Sequence, residues 1–116
     1  MTTPLERYEH RYRELCGQVA QLGFISPASL VVRMTRCGKS ECRCHANPPQ
    51  RHGPYHQWSR KVAGQTVSRL LDDTEIGLYT EWVDNWKQLK KIIKEMEKVS
   101  DKASKILLRQ AAKSRS

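Results

Sequence analysis

No stretch of this chain approaches the roughly 20 consecutive apolar residues that a membrane-spanning helix requires, and its opening residues, Met-Thr-Thr-Pro-Leu-Glu-Arg, lack the apolar core of a secretion signal. A cytoplasmic protein without a membrane partner is the expectation. Aromatic residues are scarce, with one Phe, three Trp and four Tyr, and apolar residues make up only 38% of the 116. The core they can form is small, so a cross-link would add stability that burial alone does not supply. Acid is nearly missing from one long segment: between residues 29 and 71, Glu41 stands against eight Lys or Arg. Proline is missing altogether after Pro54, so no proline stops a long helix in the second half of the chain.

The charge that is present is unevenly placed. Residues 1–28 are balanced, residues 72–86 carry five acids and no base, and residues 87–116 carry ten bases against three acids, for a net charge of +9. Two basic blocks flanking an acidic one point to a polyanionic partner, most directly nucleic acid, because each phosphate neutralised by Lys or Arg releases a counterion. The same charge would also serve solubility without any ligand.

Periodicity divides the chain into elements. Leu5, Tyr8, Tyr12, Leu15, Val19 and Leu22 recur at steps of three and four, the spacing of one helix face. Thr3 can cap this helix with Pro4 at its first position, and Gly23 followed by Pro27 is expected to end it, glycine by a left-handed exit. Cys16 lies near the apolar stripe and reads as a small buried hydrophobe. From Ser29 the period changes to two: Leu30, Val32 and Met34 alternate with Val31, Arg33 and Thr35. A second strand fits Tyr55 to Val62, Ala63-Gly64 makes a turn, and a third strand fits Gln65 to Leu71.

Asp72, Asp73 and Thr74 suit a helix start, after which Leu78, Trp82, Trp86, Leu89, Ile93 and Met96 form an apolar series that Val99, Ala103 and Ile106 continue after a phase shift. This helix is expected over about 74–110, on the order of 50 Å long. Its first half would pack on the N-terminal helix and the sheet, leaving its second half to meet another chain. The expected organisation is one zinc-containing domain over 1–110, made of an N-terminal helix (1–27), a zinc β-module (28–72) and a long helix (73–110), with 111–116 a disordered basic tail.

The chemistry is concentrated between the first two strands. Cys37, Cys42 and Cys44 lie within eight residues, joined by polar turn residues, and can converge on one tetrahedral ion. Reduced thiols are more often ligands than disulfides in a cytoplasmic setting. His52 is the favoured fourth ligand over His45, which directly follows Cys44 and so tends to point away from a site that Cys44 faces. Four protein ligands leave no open position for water, so one Zn2+ here would be structural. Enzyme motifs are not complete: Gly38-Lys39-Ser40 resembles the end of a phosphate-binding loop, but the earlier glycine it needs is Arg33. The H-x-E and P-C-x-x-C pieces of a zinc deaminase are not present. A non-catalytic protein is expected.

Several runs carry a resemblance: Ser29-Leu-Val, Arg36-Cys-Gly-Lys-Ser-Glu-Cys-Arg-Cys, His52-Gly-Pro-Tyr, Trp58 with Ser59-Arg-Lys, and Gly64-Gln-Thr-Val-Ser-Arg. Over about residues 28–90 the chain resembles a family of small bacterial proteins of the DUF6788 type. The resemblance implies a zinc-binding module and an association with mobile elements and phages, and it brings no established activity. The histidine before Gly-Pro-Tyr recurs in the family pattern, which supports His52.

The fold class expected is α+β: an N-terminal helix, a zinc-stapled three-stranded antiparallel β-sheet and a long C-terminal helix. Strand alternation gives one sheet face a mixture of hydroxyls, amides and bases, the chemistry that contacts phosphates and base edges. The expected function is nucleic-acid binding, with DNA as partner, or an accessory role in a mobile genetic element or phage. The candidate contacts are Arg33, Arg36, Lys39, Arg43, Arg60, Lys61 and Arg69. The alternative is an adaptor that forms a homodimer, or docks on a protein partner such as a recombinase, through its long helix.

Overall fold

The computed structural model of the chain describes residues 2–35, Cys42 and residues 52–115. The element order is α1 (Pro4–Ala20), β1 (Ser29–Thr35), β2 (His52–Val62), β3 (Gln65–Leu71) and α2 (Asp73–Arg115). The three strands form one antiparallel sheet in the order β1-β2-β3. The α+β architecture is therefore the one expected. Among the described residues no helix is long and apolar enough to cross a membrane. The residues fall into two compact units, one made of the chain up to Phe24 together with the chain from Asn85 on, the other of Ile25–Asp84.

In the first unit α1 begins as its sequence dictates. The Thr3 hydroxyl accepts from the Glu6 N–H at 3.1 Å, Pro4 takes the position where a missing N–H costs nothing, and Glu6 lies in the first turn. Its end differs from the expectation. The helix stops at Ala20, closed by i→i+3 bonds from Gln21 to Gln18 and from Leu22 to Val19. Gly23 does not take up a left-handed conformation. Its small size serves a close approach instead, since a Cβ there would lie 3.2 Å from the Asn85 side-chain nitrogen, which donates to the Phe24 carbonyl at 2.8 Å.

The partner of α1 is the second half of α2, not the first. Leu15 of α1 and Ile92 of α2 are the buried residues of this unit. At the other end Tyr8 and Tyr12 share a groove with Val99, Ala103 and Leu107. Asn85 beside Gly23 and Leu107 beside Tyr8 make the pairing antiparallel. The inward residues of α2 also differ from the expected series. Leu89, Ile92, Met96, Val99, Ala103 and Ile106 turn inward, whereas Ile93 is 41% exposed. That stripe keeps a seven-residue repeat with no phase shift, and Leu5, Tyr8, Tyr12, Leu15 and Val19 of α1 follow the same three-four steps. Two stripes of matching period can lie along each other, which is why the second half of α2 finds its cover within the chain. The helix also runs on to Arg115, through the residues expected as a disordered tail. Gln110, Ala111, Ala112 and Lys113 are good helix formers, and Lys113 and Arg115 complement the negative end of the helix.

In the second unit β2 is the central strand. It starts at His52 rather than at Tyr55, and runs through Pro54. The pairs Arg33↔Tyr55 and Thr35↔His52 leave one residue between them on β1 and two on β2, a bulge that falls on Gly53-Pro54. A proline has no N–H to give a ladder, and a bulge is where none is asked for. β2 and β3 are joined by a two-residue turn with positive φ at Ala63 (51°) and Gly64 (81°), between the paired Val62 and Gln65. This is the turn whose twist matches the strands.

α2 starts with a reciprocal cap. The Glu75 N–H donates to Asp72 Oδ1 at 2.8 Å and the Asp72 N–H donates to Glu75 Oε1 at 3.1 Å. Its first turns meet the sheet through aromatic side chains. Trp58 of β2 lies against Tyr79 (centroids 5.9 Å apart), and Tyr79 meets Trp82 edge-on at 5.0 Å. Among the described residues of this unit, Leu71 and Val83 are the buried apolar side chains. Ser26, 7% exposed, ties the three segments together. Its hydroxyl accepts from the Trp58 indole N–H at 3.0 Å, and its N–H donates to the Trp82 carbonyl at 2.9 Å.

Two stability predictions follow from this geometry. Ser26→Ala leaves a part-buried indole N–H without its acceptor and should destabilise by about 1–2 kcal/mol, read as a lower urea midpoint by tryptophan fluorescence. Ala63→Asn relieves a left-handed alanine and should stabilise by about 0.5–1 kcal/mol, read as a higher midpoint with an unchanged denaturant slope.

Candidate nucleic-acid interface

A strand places successive side chains on opposite sides, and directly paired residues share a side. On β2 this puts His56, Trp58, Arg60 and Val62 on one face and Tyr55, Gln57, Ser59 and Lys61 on the other. The pairings extend each set. Trp58 faces Leu30 and Arg69, and His56 faces Val32 and Leu71, so these share the side that receives Tyr79 and Glu75 of α2. Gln57 pairs with Val31 and Leu70, Ser59 with Ser29 and Ser68, Tyr55 with Arg33, and Lys61 with Thr66. This second set makes the outward face.

Among the described residues the outward face has two cations and no acid. Arg33 and Lys61 are exposed, as are Ser29, Thr66 and Ser68. Arg33 Nη1 donates to Gln57 Oε1 at 2.8 Å, and the hydroxyls of Ser59 and Ser68 share a hydrogen bond of 3.0 Å. Arg33, Gln57, Ser68 and Leu70 line a shallow depression together with Arg69. Apolar surface is exposed here too: Val31 is 49% and Leu70 59% accessible.

The seven candidate cations are thus not one cluster. Arg33 and Lys61 stand on the outward face. Arg60 and Arg69 belong to the helix-side face, Arg60 exposed. Arg69 is already engaged, its Nη2 lying 2.9 Å from Glu75 Oε2 and donating to the Tyr79 hydroxyl at 2.9 Å, with the guanidinium 5.4 Å from the Tyr79 ring centroid. Arg36, Lys39 and Arg43 lie outside the described residues. The engagement of Arg69 follows from its register opposite Trp58, which brings it to the first turn of α2, where the capping Glu75 offers a carboxylate.

Of the candidate metal ligands, Cys37, Cys44 and the side chain of His52 lie outside the described residues, as does the alternative His45. Cys42 is half-buried. The backbone of His52 opens β2 as the partner of Thr35. Among the described residues no group of three or more His, Cys, Asp or Glu is placed to hold a metal ion.

Two participants had no prominence in the sequence reading. Glu75 is the partner of Arg69, and its place is legible afterwards in the spacing Asp72-x-x-Glu75 of a capping box. Ser26 carries no local signal, since its partner Trp58 is 32 residues away.

Comparison with known proteins adds a family. The model for a domain described as "Domain of unknown function (DUF6788)" matches residues 5–79. No curated protein and no solved structure matches the chain.

Proposed function

The chain belongs to the DUF6788 family, and from its own residues we propose that it is a non-catalytic, zinc-stabilised nucleic-acid-binding protein whose partner is DNA. The observation that carries this reading is the outward sheet face: Arg33 and Lys61 among exposed hydroxyls and an amide, with no acid on it among the described residues, within a segment whose single acid is Glu41. Such a face offers fixed cations and donors to phosphates, and fixed strands present them without further ordering cost. The basic residues Arg36, Lys39 and Arg43 continue the same charge in sequence.

The zinc part of the proposal assigns Cys37, Cys42, Cys44 and His52 to one closed structural site. In its support, Thr35 and His52 are paired across the sheet. Cys37 follows Thr35 by two residues in sequence, a span of at most about 7 Å along the chain. An accessory role in a mobile element or phage belongs to the same proposal and draws on the family resemblance of the sequence.

A second reading, a protein-interaction adaptor or homodimer, draws on one feature of the first unit. The groove of Tyr8, Tyr12, Val99, Ala103 and Leu107 leaves apolar surface open, and Leu107 and Leu108 are 48% and 67% exposed. Against it, α1 already takes up part of the α2 stripe beyond Leu89, where Ile92 is buried.

Binding of a labelled DNA duplex across a salt series tests the main reading. Affinity should fall steeply with salt, and Arg33→Ala and Lys61→Ala should each reduce the slope of log K against log salt by about one. Removal of Lys91 and Lys94 from α2 should cost less. Equal losses from both pairs would make binding a diffuse property of a basic protein, and no binding to any nucleic acid would turn the assignment to the adaptor.

For the metal, purified protein should contain one zinc per chain. Cys37→Ser or Cys42→Ser should lose it together with the sheet, because the binding energy of such a site is folding energy. His52→Ala should cost more metal than His45→Ala. Full retention of β-structure after chelation would refute the site.

A further inference from the structure

We infer that the outward sheet face reads guanine in the major groove of B-form DNA, with Arg33 and Gln57 as the specificity-determining pair. The inference rests on the nucleic-acid reading above and narrows it to one base and one groove. A guanidinium has donors only, so the amide beside it must turn its oxygen toward Arg33, as the 2.8 Å bond to Gln57 Oε1 records. That bond occupies the amide oxygen and leaves the Gln57 NH2 and the remaining N–H groups of Arg33 as a cluster of donors. A lone glutamine reads adenine by using its oxygen and its nitrogen together, on N6 and N7. Gln57, with its oxygen held, is poorly placed for adenine. Guanine is the base whose major-groove edge offers two acceptors, N7 and O6, and donor pairs match it.

The surroundings suit the same ligand. Gln57 sits on the central strand, with Val31 and Leu70 directly beside it on the flanking strands, both half exposed or more. Apolar groups there can meet thymine methyls next to the guanine. Among the described residues no acid on the face repels phosphates, and Lys61 adds a second cation further along β2. Three strands spaced about 4.8 Å apart span about 10 Å, comparable to the roughly 12 Å width of the B-form major groove. The major groove of duplex RNA is too deep and narrow for such side chains to read.

The test uses the full chain and a random duplex DNA library at fixed salt. The selected sequences should share a guanine-containing motif. Replacing its guanines by 7-deazaguanine, which removes the N7 acceptor and leaves the phosphates untouched, should lower affinity about tenfold to a hundredfold, the range of one bidentate base contact. Arg33→Ala should bring the preference for guanine over 7-deazaguanine close to unity, and duplex RNA of the same sequence should bind no better than unselected DNA. Salt-dependent binding with no guanine enrichment, or with equal affinity for the 7-deaza duplex, would overturn this inference and leave the nucleic-acid reading standing. Tighter binding to single strands or to duplex RNA would also overturn it. No binding to any nucleic acid would overturn both.

Discussion

The buried hydroxyl of Ser26 is the point on which the second unit turns. It accepts the indole N–H of Trp58, while its own N–H reaches the Trp82 carbonyl, so one residue of a connecting segment holds a side chain of the central strand and the backbone of α2. Trp58 then packs on Tyr79, and Tyr79 on Trp82. A large aromatic whose polar atom is satisfied in one orientation cannot turn to the other side of the sheet without losing both its bond and its cover. Because strand side chains alternate, this one commitment decides the whole of β2: Trp58 toward the helix sends Gln57 and Ser59 to the opposite face.

The electrostatic consequences follow the same division. Arg69 shares the face of Trp58 and meets Glu75, whose carboxylate also caps α2. This pair is half exposed on the arginine side, so its energetic contribution is modest, but it removes one cation from the set open to a ligand. Arg33, on the other face, bonds to a neutral amide instead, with no carboxylate beside it among the described residues. Two arginines from the same basic segment thus have different chemistry open to them, and total charge does not distinguish them.

In the first unit the controlling constraint is period. The apolar positions of α1 and of α2 beyond Asn85 recur in steps of three and four that average 3.5 residues, so the stripes stay in register along antiparallel helices. The small residue at Gly23 lets the chain pass close to Asn85 at one end, and Tyr8 and Tyr12 line a groove with small Ser100, Ala103 and Ser104 at the other. The α2 stripe beyond Asn85 has α1 as a partner within the chain.

What the sequence determined by itself is local. The Thr3-Pro4 start of α1, the Asp72-x-x-Glu75 start of α2, the Ala63-Gly64 turn, the alternation of the strands and the α+β class all follow from hydrogen bonds and φ preferences between residues a few positions apart. Charge and cysteine spacing, which underlie the proposed nucleic-acid and zinc sites, are likewise properties of the sequence alone. Tertiary structure alone decided that Pro54 lies inside β2 at a bulge, that Ile92 and not Ile93 is buried, that α1 covers the second half of α2, and that Arg69 is spent on Glu75 while Arg33 faces outward. Each of these depends on a partner far along the chain, and a propensity or a period carries no information about which distant residue will supply it.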